Sequence, residues 1–291
     1  GVAFEDIRAL RPDIVYADLT GFGPDGPYSQ RRVYDTVIQG QSGLAASQTG
    51  IHDDQPKLIK QLICDKVTAY TACQAITAAL LARERGSGGQ HLELSMLDAC
   101  IAFMFVDAAD HEVILDGDHS GPQAVAAYNT PFAFRDGFAT VAVPDDEEFH
   151  GLARAMGVDS SDPDLATVKD RVAHPDKTRS FHLQVRENAR QLTTAEAEAH
   201  LENNGVPFGI VRLVDEVAHD PQVVANALFS EFDHPAAGRI RHHRSPTRFH
   251  GTPAEFREPA APTLGQHSDE VAAETGRGDR IKQLRSAGVI R

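Results

Sequence analysis

Between residues 62 and 99 the chain reads LICDKVTAYTACQAITAALLARERGSGGQHLELSMLDA, and no other segment constrains the fold as tightly. Over 66–85, Val67, Tyr70, Ala72, Cys73, Ala75, Ile76, Ala79 and Leu80 cover most of a helical circumference. That pattern predicts a helix buried on nearly all sides. Arg83, Glu84 and Arg85 give it a solvated end, and the GSGG that follows stops it. Residues 91–96 alternate like a strand, and 97–115 read as a second helix. Upstream, 13–19 (DIVYADL) is a short apolar run bounded by Pro12 and a glycine loop, which predicts a buried strand. Strand, helix, strand and helix in that order point to α/β layering.

The composition changes after residue 115. Residues 131–143 (PFAFRDGFATVAV) predict a hairpin turned at Asp136-Gly137. Amphipathic helices are expected over 147–156, 178–192 and 194–203, then an extended stretch at 205–212 and a short helix at 214–219. A β-ribbon over 231–243, an extended proline-bearing segment at 245–264 and a polar helix at 269–287 complete the chain. The expected division is an α/β domain over 1–120, a small α+β domain over 121–225 and a C-terminal arm over 226–291.

Charge and cysteine usage narrow the function. With 28 basic and 42 acidic residues the net charge is -14, which disfavours non-specific nucleic-acid binding. Cys64, Cys73 and Cys100 give neither a disulfide framework nor a CxxC zinc pair, as expected of a reducing cytoplasm. No apolar run reaches the roughly 18 residues that span a bilayer, and no signal peptide is expected. The chain opens at Gly1 on residues that read like the middle of a domain, as a fragment would. His111, Glu112, Asp116, Asp118 and His119 match no metal-ligand spacing and read as a solvated linker, so no metal is expected.

Gly21, Gly23 and Gly26 spell G-x-G-x-x-G directly after the first strand. The dinucleotide mechanism needs a helix to open there, with backbone N–H groups facing a pyrophosphate. Pro24 and Pro27 remove two donors, and Asp25 puts negative charge where phosphate would sit. A glycine-rich turn that lets another ligand approach the backbone fits better.

Asp65 stands at the mouth of the long helix. Aspartate is a favoured N-cap, so one reading is purely structural. The largely apolar 58–64 segment before it suggests partial burial, which is costly for an unused carboxylate. The other reading is chemical. A carboxylate there can attack a thioester carbonyl, backbone N–H groups nearby can hold the oxyanion, and Lys66 can keep the acid ionised.

Residues 10–43 (LRPDIVYADLTGFGPDGPYSQRRVYDTVIQGQSG) and 65–99 resemble the class III CoA-transferase family, the CaiB/BaiF type. Later segments match too: TPFAFRDGFATVAV, NNGVPFGIVRLVDEVAHDPQV, FDHPAAGRIRHHRSPTRFHGTP and LGQHSDEV. The resemblance implies a partial Rossmann-like large domain, a small α+β domain, a C-terminal arm returning to the large domain, and an interlocked homodimer. It implies Asp65 as the acylated catalytic aspartate, with coenzyme A thioester as substrate and no separate cofactor. Acyl-CoA and carboxylic acid are the implied partners. Arg32, Val33, Tyr34 and Asp35 fall where family members contact CoA, and the loop holding Gly21 and Gly23 lines the same cleft. The family's opening strand and much of its adenine and phosphate site have no counterpart here. Racemases of the family place a histidine before the aspartate matching Asp35. This chain has Tyr34, and a phenol is a poorer neutral-pH base than an imidazole, which favours transfer over racemisation. Tyr128 and Asn129 fall where an acyl pocket would form.

Overall fold

The computed structural model describes residues 2–48, 55–108, 110–113, 115–116, 130–254 and 261–290. Asp118, His119, Tyr128 and Asn129 lie outside them. The architecture is mixed α/β, as the sequence predicts. Contacts divide the chain into two units, Gly1–Ile210 and Val211–Arg291.

In the first unit, strands β1 (Tyr16–Thr20) and β2 (His91–Ser95) pair in parallel, Tyr16 opposite His91 and Thr20 opposite Ser95. Parallel neighbours require a crossover. Here it consists of α2 (Asp35–Gln41), α3 (Leu44–Ser47) and α4 (Ile63–Ala82). Ahead of β1, α1 (Phe4–Leu10) stacks Phe4 on the His91 ring at 4.4 Å. After β2 the chain turns straight into α5 (Met96–Ala108), then α6 (Asp110–Val113).

The long helix forms where expected, but its surroundings differ from the expectation. Only Cys64, Thr68, Ala72 and Ala79 are buried, on one stripe, while Tyr70 and Leu81 are exposed. Alanine suits a helix on any face, so a run rich in alanine marks helicity without marking which side is covered. A π-helical turn, Arg83–Ser87, follows, and Gly86 takes φ 90° to end it. Ile38, Leu44, Cys64 and Cys100 form the buried core of this region, with Phe22, Val33, Ile59, Ile63, Met96, Leu97 and Met104 packed on it. That core sits directly beneath the first turn of α4.

Residues 130–210 build a second core. Strands β3 (Phe132–Ala133), β4 (Phe138–Val141) and β5 (Phe208–Ile210) make an antiparallel sheet, with the first turn at Asp136-Gly137. Against it pack α7 (Asp146–Ala155), α8 (Val168–Ala173), α9 (Pro175–Ala189) and α10 (Thr194–Asn203). Their starts are written in the sequence. Asp145 accepts from the Glu148 N–H, and Thr167/Asp170 and Thr193/Glu196 form reciprocal capping boxes. His150, which had no evident partner in the sequence, pairs with Ser160 Oγ at 2.8 Å and the Ala166 carbonyl at 3.1 Å.

The second unit carries the ribbon of β6 (Phe229–His234) and β7 (Gly238–His243) and the short helix α11 (Pro221–Ala225). Glu231 pairs with Arg239 and Arg241 across the ribbon, and these guanidiniums hold its carboxyl below the usual carboxylate range. The single polar helix expected over 269–287 is two, α12 (Ser268–Glu274) and α13 (Ile281–Ser286). Gly276, at φ 69°, breaks it. Among the described residues no helix is long and apolar enough to cross a membrane.

Candidate active site

The mouth of α4 is assembled from three elements. α4 starts at Ile63, with Leu62 at its N-cap offering no side-chain bond. A helix start leaves its first N–H groups without intrahelical partners. Here the Ile63 N–H donates to the Gln61 carbonyl at 2.8 Å. The Cys64 and Asp65 N–H groups both donate to Asp35 Oδ2, at 2.7 and 3.2 Å. The helix is therefore capped by a carboxylate, but it is that of Asp35, brought in from α2. Asp35 is only 3% exposed.

This arrangement changes the roles available to Asp65. Its side chain is exposed, not partly buried, and caps nothing. Among the described residues no side chain or backbone group bonds its carboxylate. The first-turn N–H groups that the sequence offered as oxyanion donors are already engaged. Lys66 turns away, its Nζ 3.5 Å from the Leu62 carbonyl. Asp65 thus stands free at the positive end of a 20-residue helix, where the helix dipole favours an anion.

Behind Asp35 lies Gln39, fully buried and not singled out in the sequence. Its Nε2 donates to Asp35 Oδ1 at 2.5 Å and to the Ile59 carbonyl at 3.0 Å, while its Oε1 accepts from the Ile59 N–H at 2.8 Å. The available signal was the i,i+4 spacing of Asp35 and Gln39 on one helical face.

The glycine loop packs on the same core through Phe22. No helix opens at Gly21, Gly23 and Gly26, in keeping with the rejected dinucleotide reading. A Cβ at Gly21 would collide with the Val33 side chain, and the Gly21 carbonyl accepts from the Leu97 N–H at 3.1 Å. Gly23 holds φ 97° and donates its N–H to Thr20 Oγ1 at 3.0 Å. Arg31 lies 3.7 Å over the Tyr28 ring. Val33 packs inward on the core that holds Cys64, whereas Arg32 and Tyr34 face outward, Tyr34 at 77% exposure. The Arg32 guanidinium has no partner among the described residues. The structure therefore gathers Gly21, Val33, Asp35 and Asp65 around one core and leaves Arg32 and Tyr34 on the surface of the same segment.

The family model described as CoA-transferase family III matches residues 1–268. The chain belongs to CoA-transferase family III. It is 32% identical to the succinate–glutarate CoA-transferase of Agrobacterium fabrum, over 94% of this chain and 68% of that protein. It is 28% identical to the formyl-CoA:oxalate CoA-transferase of Streptomyces avermitilis, over 100% of this chain and 75% of that one. The crystal structure of a CaiB/BaiF family protein from Brucella suis superposes with a TM-score of 0.73 at 28% identity, covering 94% of this chain and 71% of that one.

In this family III CoA-transferase the thiol nearest the site is no rival to Asp65. Cys64 Sγ lies 2.7 Å from Cys100 Sγ, and neither side chain reaches solvent. Burial pushes the Cys64 thiol well up, and Cys100, Asp35 and Asp65 push it the same way. A protonated, buried thiol is a poor nucleophile. Among the described residues no cluster of His, Cys, Asp and Glu forms a metal site.

Proposed function

We infer that this enzyme moves CoA from an acyl-CoA thioester to a carboxylic acid through covalent intermediates on Asp65. The free, exposed carboxylate of Asp65 on a firmly capped helix start carries this reading. A carboxylate oxygen attacks the thioester carbonyl carbon, the C–S bond breaks, and CoA leaves as thiolate with an acyl-aspartyl anhydride behind it. The thiolate then attacks the aspartyl carbonyl. That step releases the donor acid and leaves an aspartyl-CoA thioester. The acceptor carboxylate attacks the carbonyl of this thioester, the C–S bond breaks, and CoA leaves again as thiolate with a second anhydride behind it. Thiolate attack on the acceptor's acyl carbon releases the new acyl-CoA and restores Asp65.

The surroundings support each part. The α4 dipole favours the anionic nucleophile. Arg32, exposed and without a partner among the described residues, suits the phosphates of CoA, and the resemblance puts the turn at Gly21 and Gly23 beside the same ligand. Tyr34 in place of a basic imidazole leaves α-proton transfer without the second acid/base partner a racemase uses. We also expect a homodimer, which sedimentation of the full-length enzyme reports.

The test is Asp65→Ala in the full-length enzyme, with succinate, glutarate and oxalate as first acceptors because the relatives above are named for them. Loss of transfer by about a thousandfold or more, roughly 4 kcal/mol of transition-state stabilisation, is expected. Hydroxylamine attack on the activated aspartyl carbonyl, with expulsion of the donor acid or CoA thiolate, should leave a hydroxamate that peptide mapping places on Asp65. Retained turnover in Asp65→Ala would move the nucleophile elsewhere.

A further inference from the structure

Residues 58–62, which lead into Asp65, belong to no helix or strand, and only Ile59 of this stretch is even partly buried. Such a segment has no ladder to fix it, yet the nucleophile follows within a few residues. Ile59 packs on the core, and a single side chain ties its backbone to α2. The Gln39 amide meets both polar groups of Ile59, its oxygen taking the N–H and its nitrogen reaching the carbonyl. The same nitrogen donates to Asp35, whose other oxygen holds the Cys64 and Asp65 N–H groups. α2 therefore grips the approach to the site at Ile59 and the helix start at Cys64 and Asp65, and one buried amide joins the two grips.

We propose that Gln39 is a positioning residue for Asp65, acting through Asp35, and that the buried Asp35 carboxylate serves this grip and not CoA. The inference rests on the reading of Asp65 as nucleophile. The chemistry of the grip is specific. A primary amide sets an acceptor oxygen beside a nitrogen with two N–H donors, so one side chain can take the Ile59 N–H, give to the Ile59 carbonyl and give to Asp35. A carboxylate at position 39 would face the Ile59 carbonyl and Asp35 with no proton to donate. An apolar side chain of equal length would leave the Ile59 N–H and carbonyl and one Asp35 oxygen without partners. Both oxygens of Asp35 accept bonds inside the protein and the residue is almost wholly shielded, which leaves it poorly placed to meet a ligand.

Gln39→Met in the full-length enzyme is the direct test, read by steady-state kinetics and by the single-turnover rate of adduct formation on Asp65. A displacement of the nucleophile by about an ångström costs up to roughly 100-fold in rate. The expected result is a kcat lower by about 10- to 100-fold, KM for acyl-CoA within about twofold of wild type, and an adduct that forms on Asp65 but slowly. Asp35→Asn should show the same split, because its NH2 would face either the Gln39 donor or the Cys64 and Asp65 donors. Unchanged kcat in Gln39→Met, or a raised KM at constant kcat in either variant, overturns the proposal; the second result would return Asp35 to CoA contact. Should the variants not fold, hydrogen exchange on the wild-type enzyme decides. Protection of the Ile59 amide supports the grip, and exchange at the rate of an open chain overturns it. A wild type that forms no adduct on Asp65 would sink the nucleophile reading, and this inference with it. Equal adduct rates in wild type and Gln39→Met sink the inference alone.

Discussion

Among the described residues, the apolar cluster within 130–210 holds sixteen buried side chains, whereas the cluster at the mouth of α4 holds four. The sparser region makes up the difference with polar side chains: Asp35, Gln39, Thr68 and Ser95 are all buried there. Close-packed apolar side chains resist unfolding but seldom present reactive groups at chosen angles. A buried hydrogen-bond network contributes less net stability per contact, yet it specifies geometry, because each donor has one acceptor to satisfy. The part of the molecule that holds Asp65 is built in the second way.

The contrast can be broken most directly in the larger core. Phe149 is 2% exposed, packs on Phe181 at 4.3 Å between ring centres, and lies under the Arg171 guanidinium at 4.1 Å. Phe149→Ala should cost about 3–5 kcal/mol in urea unfolding. A loss below about 1 kcal/mol would mean that packing is not what stabilises this region. Asp35→Ala should cost less, about 1–3 kcal/mol, by leaving the Cys64 and Asp65 N–H groups and Gln39 without their acceptor. If it costs as much as Phe149→Ala, the polar grip carries the fold as well as the site. Thr193→Ala removes one half of a capping box and should cost about 1 kcal/mol by thermal unfolding, with α10 otherwise retained.

The smallest effect concerns pH. His182 lies against Phe149 and Phe181, and burial, with Arg186 and Arg171 nearby, holds its imidazole below the usual histidine range. The unfolded chain therefore takes up its proton at a higher pH than the folded one. The resulting stability is present above the ordinary histidine value of about 6.5 and is lost as pH falls from there through the folded value. Urea midpoints should decline over that window, and His182→Gln should flatten the decline. An unaltered slope would place the titration elsewhere.

Much of the fold was legible because its signals are local. The Thr193/Glu196 box announces α10, the Asp136-Gly137 turn announces the β3–β4 hairpin, and GSGG announces the end of α4. What failed was longer in reach. The alanine-rich α4 reads as buried all round because periodicity reports apolar positions and not their neighbours, and here one stripe alone is covered. The polar C-terminal helix reads as one because the cost of Gly276 is small beside a continuous pattern. At the site, Asp65 was visible as an acid at a helix mouth, and the resemblance gave it a role. Its partner was not visible, since thirty residues separate Asp35 from Asp65.

The sequence by itself determined the α/β class, the family, the helix that ends at a glycine turn and the acid at its mouth, all of which are fixed by patterns spanning a few residues. Only the tertiary structure decided which carboxylate caps that helix and which stands free. Two aspartates of identical chemistry are told apart by burial and by the donors that surround each one, and those surroundings exist only once α2, the approach at Ile59 and the first turn of α4 have come together.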